Sequence, residues 1–267
     1  MQKTGGIAGL TRAKLTEVLR KGKPVFTAQE VAAILKTGPT PAAKLLARWV
    51  EQGWLIRLRR GSYMAVPPEA RSPLDVGENP MVVASRVFEP CYLGGWTAAE
   101  QWGLTEQIFR TIMVITTRTV KRRRLKIRNS EFLVRSISAN RFFGMRSVWQ
   151  DNLKIAFSDP TKTIVDMLSD PAMAGGAGPL FQILESYMKS SNYNEALLLE
   201  YSAKMNNGAI YKRLGYLLER SATLSKALAS EIRSRLTSGY SMLDPSLPCE
   251  ALVTRWRLFV PENWRRN

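Results

Sequence analysis

The chain has 267 residues, 45% of them hydrophobic, with aromatics spread along its length, which is the content of a globular protein of one large or two modest domains. Its formal net charge of +17, from 39 Lys and Arg against 22 Asp and Glu, points to a polyanionic partner and first of all to nucleic acid. With no histidine and only two cysteines, Cys91 and Cys249, set far apart, there is no basis for a histidine triad, a metal site, a zinc finger or a disulfide scaffold.

Met1 to Leu10 holds one lysine and a weak apolar stretch, too poor for a signal peptide, and no window approaches the about 20 apolar residues of a membrane span. A cytoplasmic protein without membrane contact is expected. From Thr11 to Val66 the pattern reads helix, helix, helix, hairpin. Leu15, Val18 and Leu19 recur at helical spacing before Gly22. Thr27 and Glu30 have the spacing of a capping box, opening a helix with Val31, Ile34 and Leu35 on one face that ends near Gly38. Thr40-Pro41 reads as an N-cap followed by proline at the first helical position, and Gly53 as the exit glycine.

Within that third helix Ala42, Leu45, Leu46, Trp49 and Val50 fall on one face, leaving Thr40, Pro41, Ala43, Lys44, Ala47, Arg48 and Glu51 outward. Short side chains with two cations suit a helix that enters a major groove about 12 Å wide. After it, strands begin at Leu55-Ile56 and continue at Tyr63 and Ala65, split by Arg60-Gly61, so Arg57, Arg59 and Arg60 crowd the hairpin tip. An arginine-tipped hairpin behind a recognition helix is the wing of a winged helix-turn-helix, placed to follow phosphates or enter the minor groove. The DNA-binding set is therefore Thr40, Lys44 and Arg48 on the helix and Arg57, Arg59 and Arg60 on the wing. Between Met1 and Asp75, 13 Lys and Arg stand against 5 Asp and Glu, which favours DNA over a protein-docking role for this domain.

Pro67 to Pro73 reads as a stiff connector, dividing the chain into a winged domain over residues 1–70 and a larger domain over 76–267. Helices are expected over Met81–Phe88 and Trp96–Trp102, then strands at Thr111–Thr116, Leu125–Arg128, Glu131–Ile137 and Met145–Trp149, the last paired with Leu153–Phe157. Asp159 and Pro160 open a helix, and four more are expected over Leu180–Lys189, Asn194–Met205, Ala209–Glu219 and Leu224–Leu236. Ala251 to Val260 reads as a closing strand. Antiparallel strands followed by a helical cluster make this second domain, and the chain as a whole, α+β.

Several features of the larger domain invite chemistry. Lys121 to Arg128 puts six cations in eight residues, so Lys121, Arg122, Arg123 and Arg124 are either a second phosphate-binding patch or a solvated hairpin. Lys162 and Asp166 stand one turn apart, as an exposed ion pair worth under about 1 kcal/mol would. Gly175-Gly176 permits a tight loop, and with neither a GxxxxGK[ST] loop nor a GxGxxG turn in the chain no nucleotide cofactor is expected. Gly215 inside a helical pattern costs about 1 kcal/mol relative to alanine, which implies close packing or an Arg213 held against an acidic partner.

These elements, in this order, resemble the AbiEi family, the antitoxin and repressor half of bacterial type IV toxin–antitoxin modules. The winged domain, the segment Tyr92 to Leu104 with Gly94, Gly95 and Trp96, and the strand at Ile112–Thr117 carry the resemblance first. Asp159 to Asp166 is similar to the family's Asp-Pro-Glu-Arg-Thr segment and its following aspartate, with Thr161-Lys162 in place of the Glu-Arg pair. Gly175-Gly176 and Arg213 to Glu219 extend it. The resemblance implies a repressor of its own promoter, bound at inverted repeats, and a second domain that neutralises a nucleotidyltransferase-like toxin without need of a tight complex. It singles out Asp166 and Arg213 as candidate functional positions of that domain.

The expected function is a non-enzymatic DNA-binding antitoxin. A nuclease-like enzyme targeted by the winged domain, with Asp151, Asp159 and Asp166 as its clustered carboxylates, is the alternative from another class. A winged-helix protein-docking adaptor is the third.

Overall fold

The N-terminal elements follow from their caps. The computed structural model describes residues 9–67, 79–150 and 153–265. In it α1 (Gly9–Lys21) leads to β1 (Val25–Phe26), α2 (Ala28–Ile34), α3 (Pro39–Glu51), β2 (Leu55–Arg59) and β3 (Ser62–Ala65). The Thr27 hydroxyl accepts from the Glu30 N–H at 3.3 Å while the Thr27 N–H donates to the Glu30 carboxylate at 2.8 Å, so the capping box is formed. The third helix starts earlier than expected: Gly38, not Thr40, is its N-cap, and Pro39 takes the first position. Proline's fixed φ suits that position as well at 39 as at 41, so the sequence offered two registers for one start. At its end the Trp54 N–H reaches the Trp49 carbonyl and the Gly53 N–H that of Val50, the two bonds of a Schellman cap. Antiparallel pairing in the order β1-β3-β2 then closes a winged helix-turn-helix around Leu15, Val18, Leu46 and Trp49.

The larger unit is built on a six-stranded sheet. After α4 (Pro80–Val87) come β4 (Cys91–Leu93), α5 (Gly95–Gln101), β5 (Thr111–Thr116), β6 (Arg124–Ile127), β7 (Ser130–Ser136), β8 (Met145–Gln150) and β9 (Leu153–Ser158). Their order is β6-β7-β5-β4-β9-β8. The α+β class holds, but the strands expected to be antiparallel include two parallel pairings, β5 with β7 and β4 with β9. Each parallel pair brings together strands separated by intervening chain, which hairpin reasoning from adjacent segments does not reach.

The central strands of this sheet are buried on both faces, and alternate residues of β5 serve opposite sides. Met113 and Ile115 meet a helical layer made of α5, α6 (Pro160–Ser169), α7 (Ala177–Lys189), α8 (Glu195–Lys204), α9 (Gly208–Arg220) and α10 (Lys226–Ser234). Ile112 and Val114 face α4 together with Ile56 and Leu58 of the winged unit, so the two units share an apolar core. Arg86 of α4 ties them further, pairing with Glu30 and donating to the Val25 carbonyl at 3.2 Å. Burial raises the Glu30 carboxyl, but the Thr27 N–H and Arg86 outweigh it and hold the group below the usual carboxylate range.

The closing segment departs from expectation. Instead of one strand from 251 to 260 there are two, β11 (Ala251–Val253) and β12 (Leu258–Val260), paired antiparallel across a 3₁₀ turn that ends in Arg257 at φ 50°. β10 (Ser241–Met242) adds to the other edge of β12. Of the expected connector only Pro67 is described, and Asp151 lies outside the described residues.

Candidate nucleic-acid interface

On α3 the apolar stripe and the outward set separate cleanly. Ala42, Leu46 and Trp49 are fully buried and Leu45 and Val50 partly so, whereas Thr40, Pro41, Ala43, Lys44, Ala47, Arg48 and Glu51 are all exposed. Thr40, Lys44 and Arg48 recur every four residues and so share one side of the helix. Among the described residues neither Lys44 nor Arg48 has a carboxylate partner. Both cations are left to solvent or to phosphate.

The wing alternates as a half-buried strand should. Along β2 Leu55, Ile56 and Leu58 are buried while Arg57 and Arg59 are exposed, and Arg60 stands exposed in the turn before Gly61. What the sequence did not convey is where this hairpin rests. Leu58 enters the core shared with α4, and the Arg59 guanidinium lies 5.9 Å from the centre of the Phe88 ring. The wing is thus seated on the larger unit rather than projecting freely.

That seating splits the basic run. Arg59, Arg118, Lys121 and Arg122 line one groove beside Phe88. Arg123 turns into a different cleft, and Arg124 is exposed on the edge strand β6. Lys121 and Arg122 therefore continue the cationic surface of the wing. Arg118, outside the dense run, was missed; only the fold brings it there.

Lys162 and Asp166 do not form the exposed bridge that their spacing suggested. Pro160 to Leu168 is buried throughout, because α6 is surrounded by the sheet and by α5, α7, α8 and α9. The Lys162 ammonium pairs with Asp166, whose other oxygen accepts from the Tyr92 hydroxyl at 2.8 Å, and Phe143 lies 4.9 Å from the ammonium. Burial pushes the Asp166 carboxyl up, against the pull of Lys162 and Tyr92. The helix tolerates its polar residues because each is matched: Thr161 with the Tyr187 hydroxyl at 2.8 Å, Thr163 with Ser158 at 2.7 Å. Tyr92 gave no separate signal, since a buried aromatic in a strand reads only as core.

Arg213 is also buried, but among the described residues no carboxylate bonds it. Its guanidinium donates to the carbonyls of Leu168 and Ser169 at 2.7 and 3.0 Å and to those of Met242 and Leu243 at 2.8 and 3.1 Å. It thereby satisfies the C-terminal carbonyls of α6 and holds β10 against them. The close packing inferred at Gly215 is present: an added Cβ would stand 2.2 Å from the Trp256 ring.

The remaining acidic and glycine motifs are engaged within the fold. Asp159 caps α6, accepting from the Lys162 N–H at 2.7 Å and from the Tyr201 hydroxyl at 3.1 Å. Gly175 and Gly176 take φ of 91° and 117°, and the N-terminus of α7 behind them is occupied by the Asp244 carboxylate, 2.8 Å from the Ala177 N–H. Among the described residues no group of three or more Cys, Asp or Glu is placed to hold a metal ion, and no helix is long and apolar enough to cross a membrane.

Comparison with known proteins bears on the fold and on the winged unit. No curated protein matches the chain in sequence. The crystal structure of the RV2827C protein from Mycobacterium tuberculosis shares the fold, with a TM-score of 0.61 at 14% identity over 96% of this chain and 93% of that one. Residues 13–66 match the family described as "Transcriptional regulator, AbiEi antitoxin". That stretch is the winged helix itself, from within α1 to the end of the wing. In this N-terminal stretch the chain is therefore similar to the AbiEi antitoxin family of transcriptional regulators.

Proposed function

We propose that the protein is a DNA-binding antitoxin that represses its own operon, reading inverted repeats in the promoter through α3 and holding the flanking backbone through the wing. Thr40, Lys44 and Arg48 face base edges and adjacent phosphates, and Arg57, Arg59 and Arg60 follow the phosphate backbone. The observation that carries this reading is the exposed pair Lys44 and Arg48 on the helix preceding the arginine wing, with no carboxylate partner among the described residues. Lys121 and Arg122 extend the same surface through the groove they share with Arg59. The larger unit opposes a nucleotidyltransferase-like toxin, acting without a stable complex. Asp166 and Arg213 serve it by fixing α6, the helix on which its core is assembled.

A regulator is favoured over a nuclease by the state of the carboxylates. Asp159 is a helix cap and Asp166 is paired with Lys162, so neither is free to hold a catalytic cation. The deciding experiment is an electrophoretic shift on the upstream promoter DNA. Lys44→Ala with Arg48→Ala is expected to abolish the specific shift while leaving the thermal melt unchanged, because both side chains are exposed and unpaired. An unaltered shift in that variant rejects α3 as the recognition helix.

A further inference from the structure

The loop that ends at Arg123 has a second side, away from the wing. There a cleft of about 540 Å³ opens between the sheet and the helical layer, within the range of small-ligand sites. Three arginines line it from three separate segments: Arg123 ahead of β6, Arg135 on β7, and Arg141 in the 3₁₀ turn Ala139–Arg141. One rim carboxylate answers them, Asp170, which lies 3.3 Å from Arg135. Arg123 and Arg141 have no ion-pair partner among the described residues.

The floor adds no further compensating charge. Asp166 lies there, but Lys162 already neutralises it from within the core. Ile115, Met173 and Met205 contribute apolar surface beside the hydroxyls of Thr119, Ser136 and Ser169. With Asp170 paired to Arg135 alone, Arg123 and Arg141 leave the cleft with excess positive charge, an arrangement relieved when an anion sits there. Guanidinium forks match the oxygen geometry of a phosphate and bind it through paired hydrogen bonds.

We propose that this cleft binds a small ligand bearing a phosphate group, of about the size of a nucleoside monophosphate. Its phosphate lies among Arg123, Arg135 and Arg141, and its remainder rests on Ile115, Met173 and Met205. The site is separate from the DNA-reading face, because Arg141 and Arg135 belong to segments that the winged unit does not share.

Isothermal titration of the full chain with AMP, inorganic phosphate and adenosine tests it. AMP is expected to bind one to one, phosphate to compete with it, and adenosine to fail. Arg123→Ala with Arg141→Ala is expected to weaken AMP at least about tenfold, equivalent to about 1.4 kcal/mol. Neither arginine has an ion-pair partner to lose among the described residues, so the melting temperature of that variant should not fall; Arg141→Lys alone, which keeps the charge, should retain part of the affinity. Three results overturn the proposal: no binding of AMP or phosphate at about 5 mM, a level that detects even the weakest specific sites; AMP binding unaffected in the double variant; or displacement of AMP by duplex DNA, which would put the phosphate on the DNA-reading surface instead.

Discussion

A lysine and an aspartate one helical turn apart are ordinarily a solvent-side decoration, with a contribution of a few tenths of a kcal/mol. Lys162 and Asp166 differ because their helix is enclosed on every side, which changes the sign of the reasoning as well as its size. Removing one member of a buried pair leaves the other uncompensated, at a cost of about 3–5 kcal/mol, whereas removing both in favour of apolar groups is close to neutral. Lys162→Met and Asp166→Asn alone are therefore expected to be strongly destabilising in urea denaturation, and Lys162→Met with Asp166→Leu to recover most of the loss. Single variants costing under about 1 kcal/mol would mean that the pair behaves as an exposed one. The spacing of these residues was legible in the sequence. Their burial was not, since the groups that enclose them, Tyr92, Phe143 and Met205, come from segments on both sides of the helix.

At the scale of elements, the winged helix was readable because its signals are local. The Thr27–Glu30 box, the Gly53 exit and the wing alternation each involve residues a few positions apart, and each formed as expected. The misplaced start of α3 is the exception that fits the rule, since Pro39 and Pro41 are equivalent by local criteria. Gly215 is a different kind of signal. A glycine inside α9 forfeits about 1 kcal/mol of helix propensity, so something nonlocal must forbid a side chain, and the Trp256 ring does. Gly215→Ala is expected to lower stability despite the better propensity, because overpacking a tight contact costs about 1–3 kcal/mol. Trp256→Phe in the same chain should restore part of it. A rise in melting temperature for Gly215→Ala alone would show that the ring yields and that the contact is loose. In sequence the hairpin of β11 and β12 reads as one strand because its turn carries no glycine or proline: Arg257 adopts the left-handed conformation in their place.

For the whole molecule the net charge of +17 is informative only once the cations are located. The fold sorts the basic run of the larger unit to two sides, Lys121 and Arg122 toward the wing and Arg123 toward the cleft, a division that eight consecutive residues could not reveal. If the wing-side cations lie on phosphates, they act through counterion release, which depends on salt and is indifferent to base sequence. Lys121→Ala with Arg122→Ala is then expected to weaken operator and scrambled duplexes by the same factor. It should also reduce the slope of log affinity against log salt by about 0.9 for each phosphate contact removed. Lys44→Ala with Arg48→Ala should behave otherwise, closing the gap between operator and scrambled DNA because base-edge contacts are lost along with phosphate ones. Fluorescence anisotropy across a salt series distinguishes the two patterns. An unchanged slope for Lys121→Ala with Arg122→Ala would make the groove beside Phe88 a solvated face and confine the DNA contact to α3 and the tip of the wing.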